Sequence, residues 1–400
     1  MILIRLVALM FSLTRSCAFV YNQYLRQHHS APIIYQRFDM VLFSSSPASA
    51  SKPSSQFITD DDGLKWRLCA GAAVLNSKNE ILIGERLGKP GSWQTPQGGI
   101  DRSESVTDAA IRELYEEVGL VHGKHVQLEK MMDGEATSSI KAKYATGGTG
   151  SWLENECIAG QELNWVVFRC ADSDLERDPS LVCNLTGLNG EKPEFTAVRW
   201  ENIDWIVDNV WEKKALPYKV LKERCIPLMK RWEERCSEVD LGGRWSRDST
   251  RSVDVMEGLV ARGLSEADAK DKSEEPYIQY WTKHVENSRE WVVTTYAADG
   301  CTPRRELHYP IGEFEERYEG ASTLFGGTDG GVLKRCCFYL AEDDSDDQIA
   351  HVTVTETPLG DREESRRYIK NGDLILKRTF VKDHSKEADR VVSTEVFVRC

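Results

Sequence analysis

Between Gly98 and Leu120 the chain reads GGIDRSESVTDAAIRELYEEVGL, and no other stretch restricts its fold and chemistry as much. Gly98 is followed after five residues by Glu104, after seven more by Arg112-Glu113, and then by Glu116-Glu117 and Gly119-Leu120. Ser105–Val118 predicts a helix, with Asp101 and Ser103 as candidate caps and Gly119 as the stop. Helical residues three and four apart share a face, so Glu113, Glu116 and Glu117 gather three carboxylates on one side. Like charges that close raise one another's pKa unless a cation lies among them. Hard oxygen donors suit Mg²⁺, with Mn²⁺ as the alternative, and Mg²⁺ binds through a few carboxylates plus substrate phosphates. A solvated acidic helix face is the ordinary fate of a charge run. It leaves Gly98, Arg112 and Gly119 at fixed offsets unexplained.

The flanks predict a mixed α/β unit. Arg67–Leu75 and Ile81–Ile83 read as strands around a turn at Asn76–Asn79, and a loop with Gly88, Pro90 and Gly91 leads to Trp93. Leu163–Cys170 and Phe195–Trp200 read as further strands. Trp211–Arg235 has helical periodicity in Trp211, Leu216, Val220, Leu221, Leu228 and Trp232, which Pro217 and Pro227 should each kink or split.

Gly98, Glu104, Arg112, Glu113, Glu116, Glu117 and Gly119 match the Nudix box at every defining position, and the chain resembles Nudix hydrolases over about Lys65–Arg235. Seven specified residues at average usage recur by chance in roughly 10⁻⁹ of starting positions. The resemblance implies an α/β/α sandwich and hydrolysis of a nucleoside diphosphate linked to another group. By position it implies Glu113, Glu116 and Glu117 as metal ligands, the Gly98 carbonyl as an added ligand, and Arg112 as an orienting partner. Glu104 would shape the loop or reach an outer water of the metal. Pro90–Asp101 (PGSWQTPQGGID) is similar to the branch holding the asymmetrical dinucleoside tetraphosphate hydrolases and the bacterial RNA pyrophosphohydrolases. That likeness adds Glu194 as a further ligand or general base, and Arg67, Arg86, Trp93, Gln97 and Trp152 as substrate contacts. Thr95 departs from the family's usual Phe or Met, and Glu154, Asn155 and Glu156 stand where basic residues are usual. Phosphate binding favours Lys or Arg, so this loop suits a small dinucleotide better than an RNA 5′ end. One of Glu116, Glu117 or Glu194 would take the proton of the attacking water. The implied substrate is diadenosine tetraphosphate, cut to AMP and ATP, with RNA 5′ ends or guanosine tetraphosphate as alternatives. A nucleotide-sensing regulator is the reading from another class.

From Leu241 the texture changes. Trp291–Tyr296, Glu306–Tyr309, Phe314–Tyr318, Val332–Leu340, Ile349–Thr355, Arg366–Ile369, Asp373–Phe380 and Val391–Arg399 read as short strands, with Asn371-Gly372 as a hairpin turn and one helical stretch over about Val253–Asp271. Gly242–Trp245, Gly312–Glu316 and Arg366–Leu374 resemble pieces of the intracellular fatty-acid-binding proteins, which are calycin-group barrels. That implies either a small apolar ligand inside or a barrel packed solid as a docking module. The family's carboxylate-gripping Arg and Tyr fall near Glu395 and Phe397. The expected architecture is therefore α/β, a Nudix sandwich over 57–238 followed by a mostly antiparallel β domain over 239–400.

Residues 1–56 carry Arg5, Arg15, Arg26, Arg37 and Lys52 against Asp39 alone, a net +4, which leaves −17 on the other 344 residues. That acidic body excludes a general duplex-binding protein. Leu6–Leu13 is an apolar run too short to span a bilayer, Ser16-Cys17-Ala18 is a small-residue cleavage site, and a Ser-rich, acid-poor stretch follows Phe19. Residues 1–18 read as a signal peptide and 19–56 as a transit-like leader, together addressing a plastid, with secretion as the alternative; no other stretch reads as a membrane span. Eleven cysteines at irregular spacing, with no C-x-x-C, fit a reducing interior rather than a disulfide or zinc framework.

Overall fold

A computed structural model describes residues 55–129, 140–147, 152–287, 289–321, 329–342, 348–358, 360–382 and 390–400. The leader segments expected over 1–18 and 19–56 lie almost wholly outside the described residues. The first of two sheets is mixed and has nine strands. These are β1 (Phe57–Thr59), β2 (Lys65–Leu75), β3 (Ile81–Arg86), β4 (Trp93–Gln94), β5 (Gln97–Gly99), β6 (Val126–Leu128), β7 (Ile140–Ala145), β8 (Gly160–Cys170) and β9 (Phe195–Glu201). Its helices are α1 (Val106–Val118), α2 (Trp152–Asn155), α3 (Ser173–Arg177), α4 (Ile203–Asn209) and α5 (Ala215–Glu238).

The sheet is built around a parallel pair, β2 beside β8, in register from Trp66↔Gly160 to Leu75↔Arg169. A strand covered on both faces reads as a near-continuous apolar run, which is how Cys69–Leu75 and Leu163–Cys170 read. Alternation sorts their side chains. Cys69, Ala73, Leu75, Leu163, Trp165 and Val167 pack with Ile203 and Ile206 of α4 and with Tyr218, Leu221 and Leu228 of α5. Ala70, Ala72, Val74, Val166 and Phe168 pack with Ala109, Ala110, Leu114 and Val118 of α1. The result is the α/β/α sandwich.

Two local expectations change. The cap of α1 is Ser105, whose Oγ accepts from Asp108 N at 3.1 Å, rather than Asp101 or Ser103. Those two stay in a turn closed by Glu104 N to Asp101 O at 3.0 Å, which keeps Glu104 beside the helix. The α5 helix runs unbroken over 24 residues with Pro227 inside it. Pro217 sits in the first turn, where no N–H is needed, and burial of Cys225, Leu228 and Trp232 holds the helix through Pro227.

The second sheet is an antiparallel meander of ten strands: β10 (Gly243–Arg247), β11 (Ile278–Lys283), β12 (Trp291–Tyr296), β13 (Pro303–Tyr309), β14 (Gly312–Ala321), β15 (Asp329–Ala341), β16 (Ile349–Glu356), β17 (Arg362–Lys370), β18 (Asp373–Val381) and β19 (Arg390–Arg399). Because β10 pairs with both β11 and β19, the first and last strands of this sheet lie side by side in its middle, and β13 and β14 are its two edges. The hairpin at Asn371-Gly372 is present, with φ of 55° and 84° at its two turn residues. The single expected helix is two, α6 (Val255–Ala261) and α7 (Glu266–Glu274), split where Gly263 takes a φ of 104°. Strands β10 and β11 are additional to the runs expected from the sequence. Phe397 is core, and Glu395 pairs with Arg378 at 2.8 Å and Arg247 at 3.2 Å.

The sheets meet through α3 and the end of α5. Trp232 and Cys236 pack on Tyr339 and Ile349, Arg362 bonds Ser173 Oγ at 2.6 Å and Asp174 at 2.8 Å, and Arg177 bonds Glu356 at 2.7 Å. We propose 57–238 and 239–400 as two folding units, since both sandwich cores draw on nothing beyond Met229. A 57–240 fragment should fold, with a Tm roughly 5 °C or more below the full chain because Trp232 and Cys236 lose their cover. Circular dichroism melts check this, and equal Tm values would show that the contact adds no stability.

Candidate active site

Strands β2, β3, β4, β5, β7 and β8 and helices α1 and α2 bring residues to the site. Gly98 and Gly99 lie on β5, which pairs with β2 through Ala70↔Gly98 and Cys69↔Gly99. A Cβ on Gly98 would drive into the Glu113 carboxylate, and one on Gly99 into the Arg67 guanidinium, so only glycine lets those groups approach. Behind α1, Gly119 takes a φ of 73° and its N–H, with that of Leu120, returns to Tyr115 O and Leu114 O.

Arg112 joins the loop to the helix. Its Nε donates to Glu104 Oε1 at 2.9 Å; one terminal nitrogen reaches Glu113 at 2.7 Å and Glu116 at 2.9 Å. The other terminal nitrogen reaches Gly99 O at 2.8 Å and Glu104 Oε2 at 2.9 Å. Glu117 has no such partner. It is 7 % exposed, and among the described residues its Oε2 accepts from Gln97 N alone, at 3.0 Å. Burial, then Glu113, then Glu194 hold its carboxyl well above the usual range. Burial also pushes Glu113 up to about 7, against the pull of Arg112.

By charge and donor type these residues fit a divalent cation: hard oxygens around a buried carboxylate that has no ion-pair partner among the described residues. Among the described residues no three carboxylate, imidazole or thiol groups converge to hold a metal ion. Arg112 draws Glu113 and Glu116 to itself.

Beside the box opens a cleft of about 660 Å³. Arg67, Arg86, Trp93, Gln97, Trp152, Gly98 and Glu194, all singled out in the sequence, line it. Glu113, Glu116, Glu117 and Arg112 are not on its wall but stand behind Gly98 and Gln97. Arg86 Nε is buried with no hydrogen-bond partner among the described residues. Trp93 is placed differently from a free stacking surface: the Arg199 guanidinium lies 4.2 Å from its ring centre and 4.6 Å from that of Trp205.

Lys214, Lys89, Tyr144, Gln161 and Trp211 also line the cleft, and sequence reasoning missed them. Lys214 is buried with its Nζ 2.8 Å from Gln94 Oε1. Burial and then Arg86 push its ammonium down to about 7, while Glu117 and Glu194 oppose the shift. Its only sequence signal was the pair Lys213-Lys214, which reads as surface charge.

Glu113 and Glu117 bind protons more tightly folded than unfolded, so without a divalent cation they make stability fall as pH rises from about 4.5 through 7. In EDTA the Tm should therefore drop between pH 5 and pH 8. Glu117→Gln should flatten that drop, and Mg²⁺ should raise the Tm of the parent chain at pH 8 more than that of the variant. Identical profiles for the two proteins would refute this account of the charge.

A family model described as the NUDIX domain matches residues 65–223. The chain is 30% identical over 204 residues to Nudix hydrolase 26, chloroplastic, of Arabidopsis thaliana, covering 49% of this chain and 86% of that protein. It is 30% identical over 166 residues to the RNA pyrophosphohydrolase of Wolbachia sp. subsp. Drosophila simulans (strain wRi), covering 42% of this chain and 93% of that one. Among solved structures, the wild-type fluorescent protein UnaG is similar at a TM-score of 0.29 and 18% identity, over 40% of this chain and 97% of that one. A complete box folded as loop, helix and stop, and alignment across most of such a relative's length, make this chain a member of the Nudix family, hydrolases that act on pyrophosphate bonds.

Proposed function

We propose that the chain hydrolyses dinucleoside polyphosphates, cutting diadenosine tetraphosphate off centre into AMP and ATP. One observation carries the reading: Arg67, Arg86, Lys89 and Lys214 line a single cleft that runs to Gly98 and Glu194. In a chain of net −13, a cleft lined by four basic side chains is a binding surface for a phosphate chain.

The residues divide the work. Arg86 and Lys214 hold phosphate oxygens, the guanidinium by paired bonds and the ammonium as a point charge. Gly98 O, Glu113, Glu116 and Glu117 would hold Mg²⁺, which when bound screens the phosphates and acidifies a water. Arg112 keeps Glu113 and Glu116 in place from behind. Glu117 or Glu194 accepts the water's proton, and Gln97 N orients Glu117 for it. The attack lands off centre because a nucleoside pocket fixes its distance from the reacting phosphorus.

RNA 5′-end hydrolysis is the second reading, favoured by relatives named for that activity. Against it, α2 at the cleft mouth carries Glu154, with exposed Glu156 just beyond. Hydrolysis in heavy-oxygen water should label only one of AMP and ATP, and Glu117→Gln should lower kcat by several orders of magnitude while the chain stays folded. ADP as sole product, or full activity in the variant, would defeat the mechanism. Turnover of 5′-triphosphorylated RNA alone would favour the second reading.

We also assign the chain to a plastid, on the composition of residues 1–56 and on the relative named chloroplastic. Residues 1–60 fused to a fluorescent protein should enter the plastid, and Phe19→Ala should leave the fusion outside; secretion of the parent fusion would overturn the assignment.

A further inference from the structure

The second sheet carries charge that its described residues leave unbalanced. Side chains alternate along a strand and registered partners share a face. Arg247, Arg305, Arg335, Arg367 and Arg378 therefore all stand on the face that holds Trp281, Tyr309 and Phe397. That face is concave. In a flat sheet β13 and β17, six positions apart in strand order, would lie roughly 29 Å from each other. The Arg367 guanidinium of β17 is instead 4.9 Å from the ring centre of Tyr309 on β13, and 5.5 Å from that of Trp281 on β11. The two edge strands also meet, Arg305 of β13 pairing with Glu316 of β14.

Six guanidiniums, these five and that of Arg262 just after α6, share three carboxylates. Glu363 takes Arg378 at 2.9 Å and Arg262 at 3.4 Å, Glu395 takes Arg378 at 2.8 Å and Arg247 at 3.2 Å, and Glu316 takes Arg335 at 2.8 Å together with Arg305. The surplus is three positive charges. Arg367 is only 4 % exposed and has no ion pair among the described residues; one terminal nitrogen donates to Thr353 Oγ1 at 2.9 Å, and its buried Nε has no partner there. His351, in register with it on β16, is fully buried with neither ring nitrogen bonded among the described residues. Burial, and after it the Arg367 charge, push the His351 pKa well below the usual range, so the ring is neutral and keeps one N–H to donate. Stacking on Trp281 and Tyr309 aims the Arg367 guanidinium without cancelling its charge, and a cation taken out of water without a counter-charge is unstable.

We propose that this concave face binds a small polyanion bearing two or more carboxylate or phosphate groups, one of them held between Arg367 and Arg335. Those two guanidiniums flank a single phenol ring, 4.9 and 5.9 Å from the centre of Tyr309. Guanidinium forks match carboxylate and phosphate oxygens alike, and His351 adds a neutral donor. A surplus of three charges, spread over three carboxylate pairings and the unpaired Arg367, asks for more than one negative group. The last-strand positions expected to grip a lone carboxylate hold Glu395 and Phe397, so this seat lies on other strands, β15, β16 and β17.

Calorimetric titration of the full chain in metal-free buffer with citrate, tripolyphosphate and oleate tests this. At least one polyanion should bind, and more tightly than oleate with its single charge. Arg367→Met, which keeps most of the side chain's bulk, should weaken that polyanion on the order of tenfold. The cleft is the same in both proteins, so the share of binding lost in Arg367→Met belongs to this face. Glu316→Gln raises the surplus by one and should tighten the polyanion several-fold, a gain that a merely structural role would not give; it decides the matter alone where Arg367→Met does not fold. A loss confined to citrate identifies carboxylate as the group recognised, and one confined to tripolyphosphate identifies phosphate. Equal affinities of parent and Arg367→Met for both polyanions, tighter binding of oleate than of either, or no tightening in Glu316→Gln would overturn the proposal.

Discussion

Arg112 has five N–H donors, and all five are used: two on Glu104, one each on Glu113 and Glu116, and one on the Gly99 carbonyl. The planar guanidinium makes this one rigid fork rather than five separate contacts. It fixes the loop at Gly99, the turn at Glu104 and the second turn of α1 relative to each other. A lysine there would supply charge but could not hold three elements in one plane. Pairing Glu113 and Glu116 with Arg112 also leaves Glu117 held by the Gln97 N–H and by no ion pair among the described residues, so the demand for positive charge is focused on Glu117.

The box helix, the sandwich strands and the alternating runs of the second sheet were legible because each is encoded locally. The α1 stop needed only Gly119. The α1 cap was misread because Asp101, Ser103 and Ser105 are equally good cap residues, and what decides among them is the ion pair from Arg112 to Glu104, eight residues away. The helix through Pro227 was hidden for the opposite reason: a strong local signal is outweighed by burial of Leu228 and Trp232 against a sheet formed elsewhere. In the cleft, glycines and carboxylates announced themselves by spacing. Lys214, Tyr144 and Trp211 did not, since they meet only when β7 pairs with β8 and α5 packs across them.

The second sheet shows how a charged interior can be built. Arg247, Arg262 and Arg378 are each matched by Glu363 or Glu395. Arg367 instead lies between aromatic rings, 5.5 Å from Trp281 and 4.9 Å from Tyr309, with Thr353 Oγ1 at 2.9 Å. Buried ion pairs add little net stability, because desolvation offsets most of the attraction. What they impose is selectivity of arrangement, since a shifted strand would leave several charges bare at once. Glu395 fills with the protein's own carboxylate the place where the resemblance had put an arginine.

The unbroken α5 spans 24 residues, about 36 Å at 1.5 Å per residue. Lys214, in the cleft, immediately precedes its first turn, and Trp232 and Cys236, against the second sheet, occupy its last two. Pro227 lies between those two ends and takes one hydrogen bond out of the helical ladder, so the one backbone that joins the lysine in the cleft to the tryptophan on the far sheet has its weakest turn there.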